Sequence, residues 1–555
     1  MKPILALWRG WPPIAQIFMT QPHYSVVDAV TLKSWLHDAD EIALLDVREH
    51  GQYGEGHPFF AVPLPYSRLE LEIGRLVPRT STRIILADDG DGVAQSAAAA
   101  LACLGYTNLH VLDGGMAAWQ AAGYTLFAGV NLPSKTFGEL AELHYHTPRV
   151  TAQELAAMQA GPLAPVVLDG RPTSEFRKMN IPGAICCPNG ELAYRLRDLV
   201  ADSTTPIVIN CAGRTRSIIG AQSLINFGVT NPIYALENGT QGWYLNDFTL
   251  EHGGTARYPD SVMPHGIDEA KALARALTQR FDVPHIDASH AQAQLSDATR
   301  TTFLCDVRTA EEYAVQTLPG AQHTPGGQLM QATDQYVGVR HARLVLFDAD
   351  GVRAPVVASW LWQMGHDAVV LEGGLQAGVA AGLHATHGPE HRLPALPTVT
   401  AAQLATGLAS QSMLALDLRG SMAYRAGHIA ESRWSTRARL AEDLHGVPHD
   451  TAVVLIGDAD SNDPVDLATA DLRALGYRDL YRLEGGICAW QAAGHPVSAE
   501  TDALPDARCI DYLFFVHDRH DGNKAAARQY LAWETGLVAQ LDAQELATFR
   551  FPAIA

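Results

Sequence analysis

Cysteine is scarce in this chain: seven occur in 555 residues, at 103, 186, 187, 211, 305, 488 and 509. No two form a C-x-x-C pair and no spacing recurs, which argues against a disulfide framework and against a zinc site. The 23 histidines show no metal-ligand spacing either, so no metal is expected. Positive charge is the minority, with 40 Lys and Arg against 60 Asp and Glu and a net charge of −20. A nucleic-acid partner is therefore not expected. Long apolar runs are missing, and none reaches the roughly 18 residues of a membrane-spanning helix. No phosphate-binding Walker loop or dinucleotide fingerprint is present, and no cofactor is expected. Free, scattered thiols suit a reducing, cytoplasmic compartment. The apolar stretch within residues 1–18 is broken by Arg9, Pro12 and Pro13 and has no clear cleavage site. It reads as a disordered leader, with Met19 as an alternative start.

What is present is repetition. The length predicts about three or four domains, and one pattern recurs four times. Each copy opens with a helix start at Val30-Thr31, Val150-Thr151, Ile286-Asp287 or Val399-Thr400, where Thr or Asp stands as the N-cap. A strand ending in Asp-x-Arg follows, at Asp46/Arg48, Asp169/Arg171, Asp306/Arg308 and Asp417/Arg419. A central apolar strand comes next. The last signal is a strand running into a Gly-rich turn and a helix, with Trp119, Trp243 and Trp490 in copies one, two and four. Strands alternating with helices predict an α/β unit with a parallel sheet flanked by helices. The expected domains are 26–126, 147–251, 283–385 and 397–497, followed by a short α/β extension at 505–555. In that extension Ile510–Val516 reads as a strand and 523–549 as mostly helical. Tyr530, Leu531, Trp533, Leu537 and Leu541 share an apolar face that should pack on the body. The His-rich linker before copy two is expected to leave His144 and His146 facing solvent.

The loops after the central strands separate the copies. Copy two reads Cys211-Ala212-Gly213-Arg214-Thr215-Arg216-Ser217, between an apolar strand and a helix. Loop N–H groups and a helix N-terminus make an anion cradle there. A thiol at its mouth is favoured as thiolate, and Arg214 and Arg216 can grip a small oxyanion. The other copies have Asp88, Asp348 and Gly457 at that place, with acidic loops that repel anions. Copies one, three and four are expected to be inactive.

The spacing Cys-x-x-x-x-Arg-Ser closely resembles the active-site loop of rhodaneses, the sulfurtransferase family. The four repeats resemble the rhodanese fold from about residue 26 to 497. The resemblance implies sulfur transfer from thiosulfate or a similar small anionic donor, through a Cys211 persulfide, to a thiol, cyanide or protein acceptor. Donor and persulfide binding fall to the loop residues Ala212, Gly213, Arg214, Thr215, Arg216 and Ser217, although in this family the final loop arginine often pairs with an acid. Arg171 borders the pocket, and Thr240 and Trp243 start the neighbouring helix. Asp169 and Arg171 recur in every copy, so their first duty is expected to be structural, with Asp169 tying down loop backbone. Trp243 is expected in the core, and Cys186 and Cys187 are expected to pack rather than resolve the persulfide. Two rivals stand. One is a Cys-dependent phosphatase or arsenate reductase on the same fold, whose phosphatase relatives run one residue longer between Cys and Arg. The other is a non-enzymatic scaffold with Cys211 as redox sensor. A homo-oligomer is left open.

Overall fold

The computed structural model describes residues 23–260, 265–391, 396–458, 464–499, 504–517 and 523–552. The expected leader lies outside them. Each copy folds into a five-stranded sheet whose strands, counted in chain order, lie first, fifth, fourth, second, third. In copy two these are Arg149–Val150, Val166–Asp169, Ile185–Cys186, Ile207–Asn210 and Ile233–Leu236, all parallel. The fourth strand is central and its residues Ile207, Val208 and Ile209 are fully buried. Helices cover both faces, so the strand has no solvated side and reads as a continuous apolar run.

The repeat signals have local physical causes. Asp28, Thr151, Asp287 and Thr400 cap the first helices, each accepting the N–H three residues on. In copy one the cap is thus Asp28, not Thr31; Thr31 lies inside Ala29–Leu36 and donates to the cap. The four Asp-x-Arg pairs share one geometry. In copy two the Arg171 N–H and Nε donate to Asp169 Oδ1 at 3.1 and 2.8 Å. The guanidinium then reaches the carbonyl eight residues on, at Met179. Arg48, Arg308 and Arg419 do the same at Gly56, Gln316 and Gly427. A buried, bidentate pair that holds the next turn is a fold element, which is why it recurs.

The Gly-rich turns also have a steric origin. Gly239 has φ +53°, and a Cβ there would lie 2.3 Å from the Cys211 carbonyl oxygen. Gly115, Gly374 and Gly486 meet the carbonyls of Asp88, Asp348 and Gly457 at the same 2.3 Å. The helix behind each turn is thereby pressed against the loop that ends the central strand.

Two segments depart from expectation. The linker before copy two contains a 14-residue helix, Leu132–Tyr145. His144 is not solvent-facing as expected: its Nε2 lies 3.0 Å from the Pro552 carbonyl and its ring packs on Phe551. His146 is exposed. The second departure is Ile510–Val516, which turns into the short helix Phe514–His517 instead of forming a strand. No strand occurs among the described residues of the extension. Its side chains wedge between domains: Leu513 fills the space beside Gly54, and Asp511 accepts the Ser421 N–H at 2.8 Å.

The extension straps all four copies together. It bonds copy one through Lys33–Glu545, at 2.9 Å, and copy two through Thr215–Glu534, at 2.8 Å. It reaches copy three through Arg550 N–H to the Gln363 carbonyl, at 2.7 Å, and copy four through Asp511. Copies one and four are also tied by the buried Arg437, which pairs with Glu70 at 2.6 and 3.0 Å and with Asp471 at 2.7 Å.

Glu49 lies at this junction of copy one, copy four and the extension, 5% exposed. Burial, aided by Asp511, pushes its carboxyl from 4.5 up to about 7. A raised acid binds more protons folded than unfolded, so its contribution weakens as pH rises from about 4.5 to 7, by up to about 3 kcal/mol. Glu49→Gln is expected to raise the thermal midpoint at pH 8 and leave it unchanged at pH 4. An equal shift at both pH values would remove Glu49 as the cause.

Candidate active site

The central strand Ile207–Asn210 ends at Cys211, at the carboxyl end of the sheet, where α/β folds place their ligands. The helix Thr215–Phe227 starts four residues later. Thr240 N–H donates to the Cys211 carbonyl at 2.8 Å and Gln241 N–H to the Ala212 carbonyl at 3.2 Å. These bonds turn the loop carbonyls away and leave the loop N–H groups facing inward.

The other copies show what that cradle wants. In copy one, Asp88 accepts N–H bonds from Gly90, Gly92 and Ala94, at 2.8, 3.2 and 2.9 Å. In copy three, Asp348 accepts from Gly351, Val352 and Ala354, at 2.7, 3.0 and 2.8 Å. Burial, and then Asp350, push the Asp348 carboxyl up to about 7 against the pull of these bonds. The cradle in these copies is therefore filled by their own carboxylate. In copy two the corresponding N–H groups, within Gly213–Ser217, bond no protein oxygen among the described residues. Cys211 stands in their place, and Ser217 Oγ donates to its sulfur at 3.1 Å.

Cys211 is 2% exposed yet lines a cavity of about 290 Å³. Ala212, Gly213, Arg214, Thr215, Arg216 and Arg171 line it too. Thr240, Ser217 and Asp169 stand behind the wall, and Asp169 also accepts from Asn210 Nδ2 at 2.7 Å. Trp243 is not at the site: it is buried against Phe248 and its Nε1 bonds the Thr249 carbonyl at 2.9 Å. Trp119 and Trp490 make the same bond in copies one and four, so this tryptophan belongs to the core. Burial pushes Cys186 up to about 11 and lifts Cys187 well above the ordinary thiol range. A larger cavity, about 610 Å³, lies between copies one, three and four and has no cysteine in its wall.

Both loop arginines turn to acids rather than to open space. Arg214 donates to both oxygens of Glu139 at 2.8 Å and reaches Glu142, all on the linker helix. Burial alone would weaken that cation, but the glutamates hold it firmly protonated. Burial in turn pushes Glu139 up to about 6 despite Arg214. Arg216 grips Glu175 through two bonds of 2.7 Å. Its charge also couples to Cys211, so it lies within electrostatic reach of the sulfur. Copy three repeats this clamp without a cysteine: Arg353 pairs with Glu312 at 2.6 and 2.8 Å. The Arg216–Glu175 pair thus has a structural duty of its own.

Sequence reasoning missed several members of the site. Lys135 lines the pocket, bonded to Tyr530 and 3.4 Å from Glu534. Asn189 Nδ2 holds the Arg216 carbonyl at 2.9 Å. Gln328, Gln331 and Gln335 come from copy three, and His517, Tyr530 and Glu534 from the extension. Only Glu175 left a signal, because Glu312 stands at its place opposite Arg353. The pocket is composite and, Lys178 at its rim apart, its Lys and Arg side chains are matched: Arg171 by Asp169, Arg214 by Glu139 and Glu142, Arg216 by Glu175 and Lys135 by Glu534. It can hold a thiol at an N–H cradle, with a buried hydroxyl on the sulfur and charged groups close by.

This is a tandem array of α/β units with one cysteine-bearing anion loop. The family model for the Rhodanese-like domain matches residues 28–122, 151–246, 287–381 and 400–493. These matches cover more than half of the chain, which belongs to the rhodanese family. A crystal structure described as thiosulfate sulfurtransferase from Pseudomonas aeruginosa is similar at a TM-score of 0.85 and 40% identity, covering 96% of this chain and 100% of that one. Curated proteins from two strains of Mycobacterium tuberculosis, each named "Putative thiosulfate sulfurtransferase SseB", are 28% identical over 207 residues, 30% of this chain and 71% of theirs. No helix of the described residues is long and apolar enough to cross a membrane.

Arg214→Ala leaves Glu139 buried without its main partner, and it is expected to cost about 3–5 kcal/mol of stability. If Arg214 is a clamp and not a donor ligand, KM for thiosulfate stays within about threefold of wild type. Urea unfolding and steady-state kinetics check the two halves. A tenfold rise in KM at unchanged stability would return Arg214 to donor binding.

Proposed function

We propose that the protein is a sulfurtransferase that moves sulfane sulfur through Cys211. The thiolate attacks the outer sulfur of thiosulfate, a new S–S bond forms, and sulfite leaves with the electrons of the old one. An acceptor thiolate or cyanide then takes the outer sulfur and returns Cys211 as thiolate. This two-stage route gives ping-pong kinetics. The observation that carries the reading is the cradle: its counterparts hold carboxylates in copies one and three, and in copy two it is left to sulfur. The same N–H groups stabilise the terminal sulfur of a persulfide, as they would an oxyanion.

The matched charges around the pocket make the cradle and the Thr215–Phe227 helix N-terminus the main attraction for the donor, with the guanidinium groups setting geometry. The name of the Pseudomonas relative supports thiosulfate as donor. The four residues between Cys211 and Arg216 favour a sulfur-sized centre over phosphate, and a phosphatase assay tests that rival.

Intact mass after thiosulfate treatment is expected to rise by roughly one sulfur atom, to fall back on adding thiol, and to stay constant in Cys211→Ser. Loading in that variant would move the site elsewhere. Ser217→Ala removes a hydrogen bond to a charged acceptor worth about 1.5–3 kcal/mol, so stopped-flow loading should slow at least about tenfold. A wild-type rate would place the hydroxyl outside the reaction.

A further inference from the structure

One wall of the Cys211 cavity belongs to copy three. Gln328 and Gln331 lie on its helix Gly326–Gln331, and Gln335 ends the turn Thr333–Gln335. All three line the cavity. Gln331 is 9% exposed and its Oε1 has no hydrogen-bond partner. Gln328 is half-buried on the cavity wall, and its amide makes no hydrogen bond among the described residues. Gln335 donates to Asn131 Oδ1 at 3.5 Å. A buried amide left unmet by its own chain is costly, which points to a partner from outside. An amide both donates and accepts, so its best complement is another amide.

Two further observations narrow the ligand. The cavity, about 290 Å³, is far roomier than a small inorganic anion requires and approaches the size at which pockets enclose organic ligands. At its rim Lys178 is exposed and carries no ion pair among the described residues. The deeper cations are already matched by carboxylates.

We propose that copy three supplies the acceptor subsite, and that the acceptor is a small peptide-like thiol. Gln328, Gln331 and Gln335 hold its amide groups and Lys178 a carboxylate. This rests on the sulfur-transfer reading of Cys211. In the step served, the acceptor thiolate attacks the outer sulfur of the Cys211 persulfide. The bond from Cys211 Sγ to that sulfur breaks, the acceptor leaves as its own persulfide, and Cys211 leaves as thiolate. Sulfane sulfur moves and no outside oxidant or reductant is needed.

The test uses the full chain with thiosulfate as donor and three acceptors: glutathione as the peptide-like probe, 2-mercaptoethanol as a thiol without amides, and cyanide. Intact mass follows loading of Cys211 separately. In Gln328→Leu/Gln331→Leu the ratio of kcat/KM for glutathione to that for 2-mercaptoethanol is expected to fall about tenfold, mainly through KM. Gln328→Glu, at the less buried position, should lower the same ratio by repelling an anionic acceptor, and serves if the double variant fails to fold. Equal losses for all three acceptors, or a wild type that does not prefer glutathione to 2-mercaptoethanol, would overturn the subsite. Absence of sulfur on wild-type Cys211 would overturn the transfer reading and this inference with it. Loading without acceptor preference would overturn the inference alone.

Discussion

A ring of backbone N–H groups at the end of the central strand governs this molecule. The strand, its tight loop and the following helix aim several donors at one point, and buried donors need an acceptor. Copies one and three meet the need with Asp88 and Asp348. In copy two no protein oxygen fills it among the described residues: Cys211 stands at that place, and the Ser217 hydroxyl donates to its sulfur. One backbone device thus gives a self-satisfied loop in two places and, in the third, a sulfur held where negative charge is welcome.

That device needs its loop pinned from both sides. Gly239 lets the neighbouring helix touch the Cys211 carbonyl, and the helix amides take the carbonyls out of play. On the other side the two loop arginines are drawn into carboxylates on the linker helix and on Thr173–Lys178. A bidentate guanidinium–carboxylate pair fixes direction as well as distance. The site therefore combines local positive groups with little net excess of charge.

The copies without the cysteine are part of this frame. Arg353 of copy three joins Glu191 of copy two at 3.0 Å, and the chain at Gly190 runs against Gly327. Arg437 does comparable work between copies four and one. The extension then crosses all four and ends its longest described helix beside the Cys211 loop, with Glu534 on Thr215. The units without a cysteine at this loop serve as walls and braces.

The alternation of strands and helices, three of the four first-helix caps, the Asp-x-Arg pairs, the Gly-rich turns and the loop carrying Cys211 were legible in the sequence. Each rests on residues a few positions apart, where spacing dictates backbone geometry and backbone geometry repeats. The partners of Arg214, the amide wall of copy three and the place of Tyr530 and Glu534 were not legible. They are chosen by how domains dock, across separations of up to several hundred residues, and no local periodicity records which surfaces meet. Misreading Ile510–Val516 as a strand has the same cause, since an apolar run declares that it is buried but not against what. The sequence alone determined the units and the cysteine-bearing loop; tertiary packing decided which charges were cancelled and what encloses the sulfur.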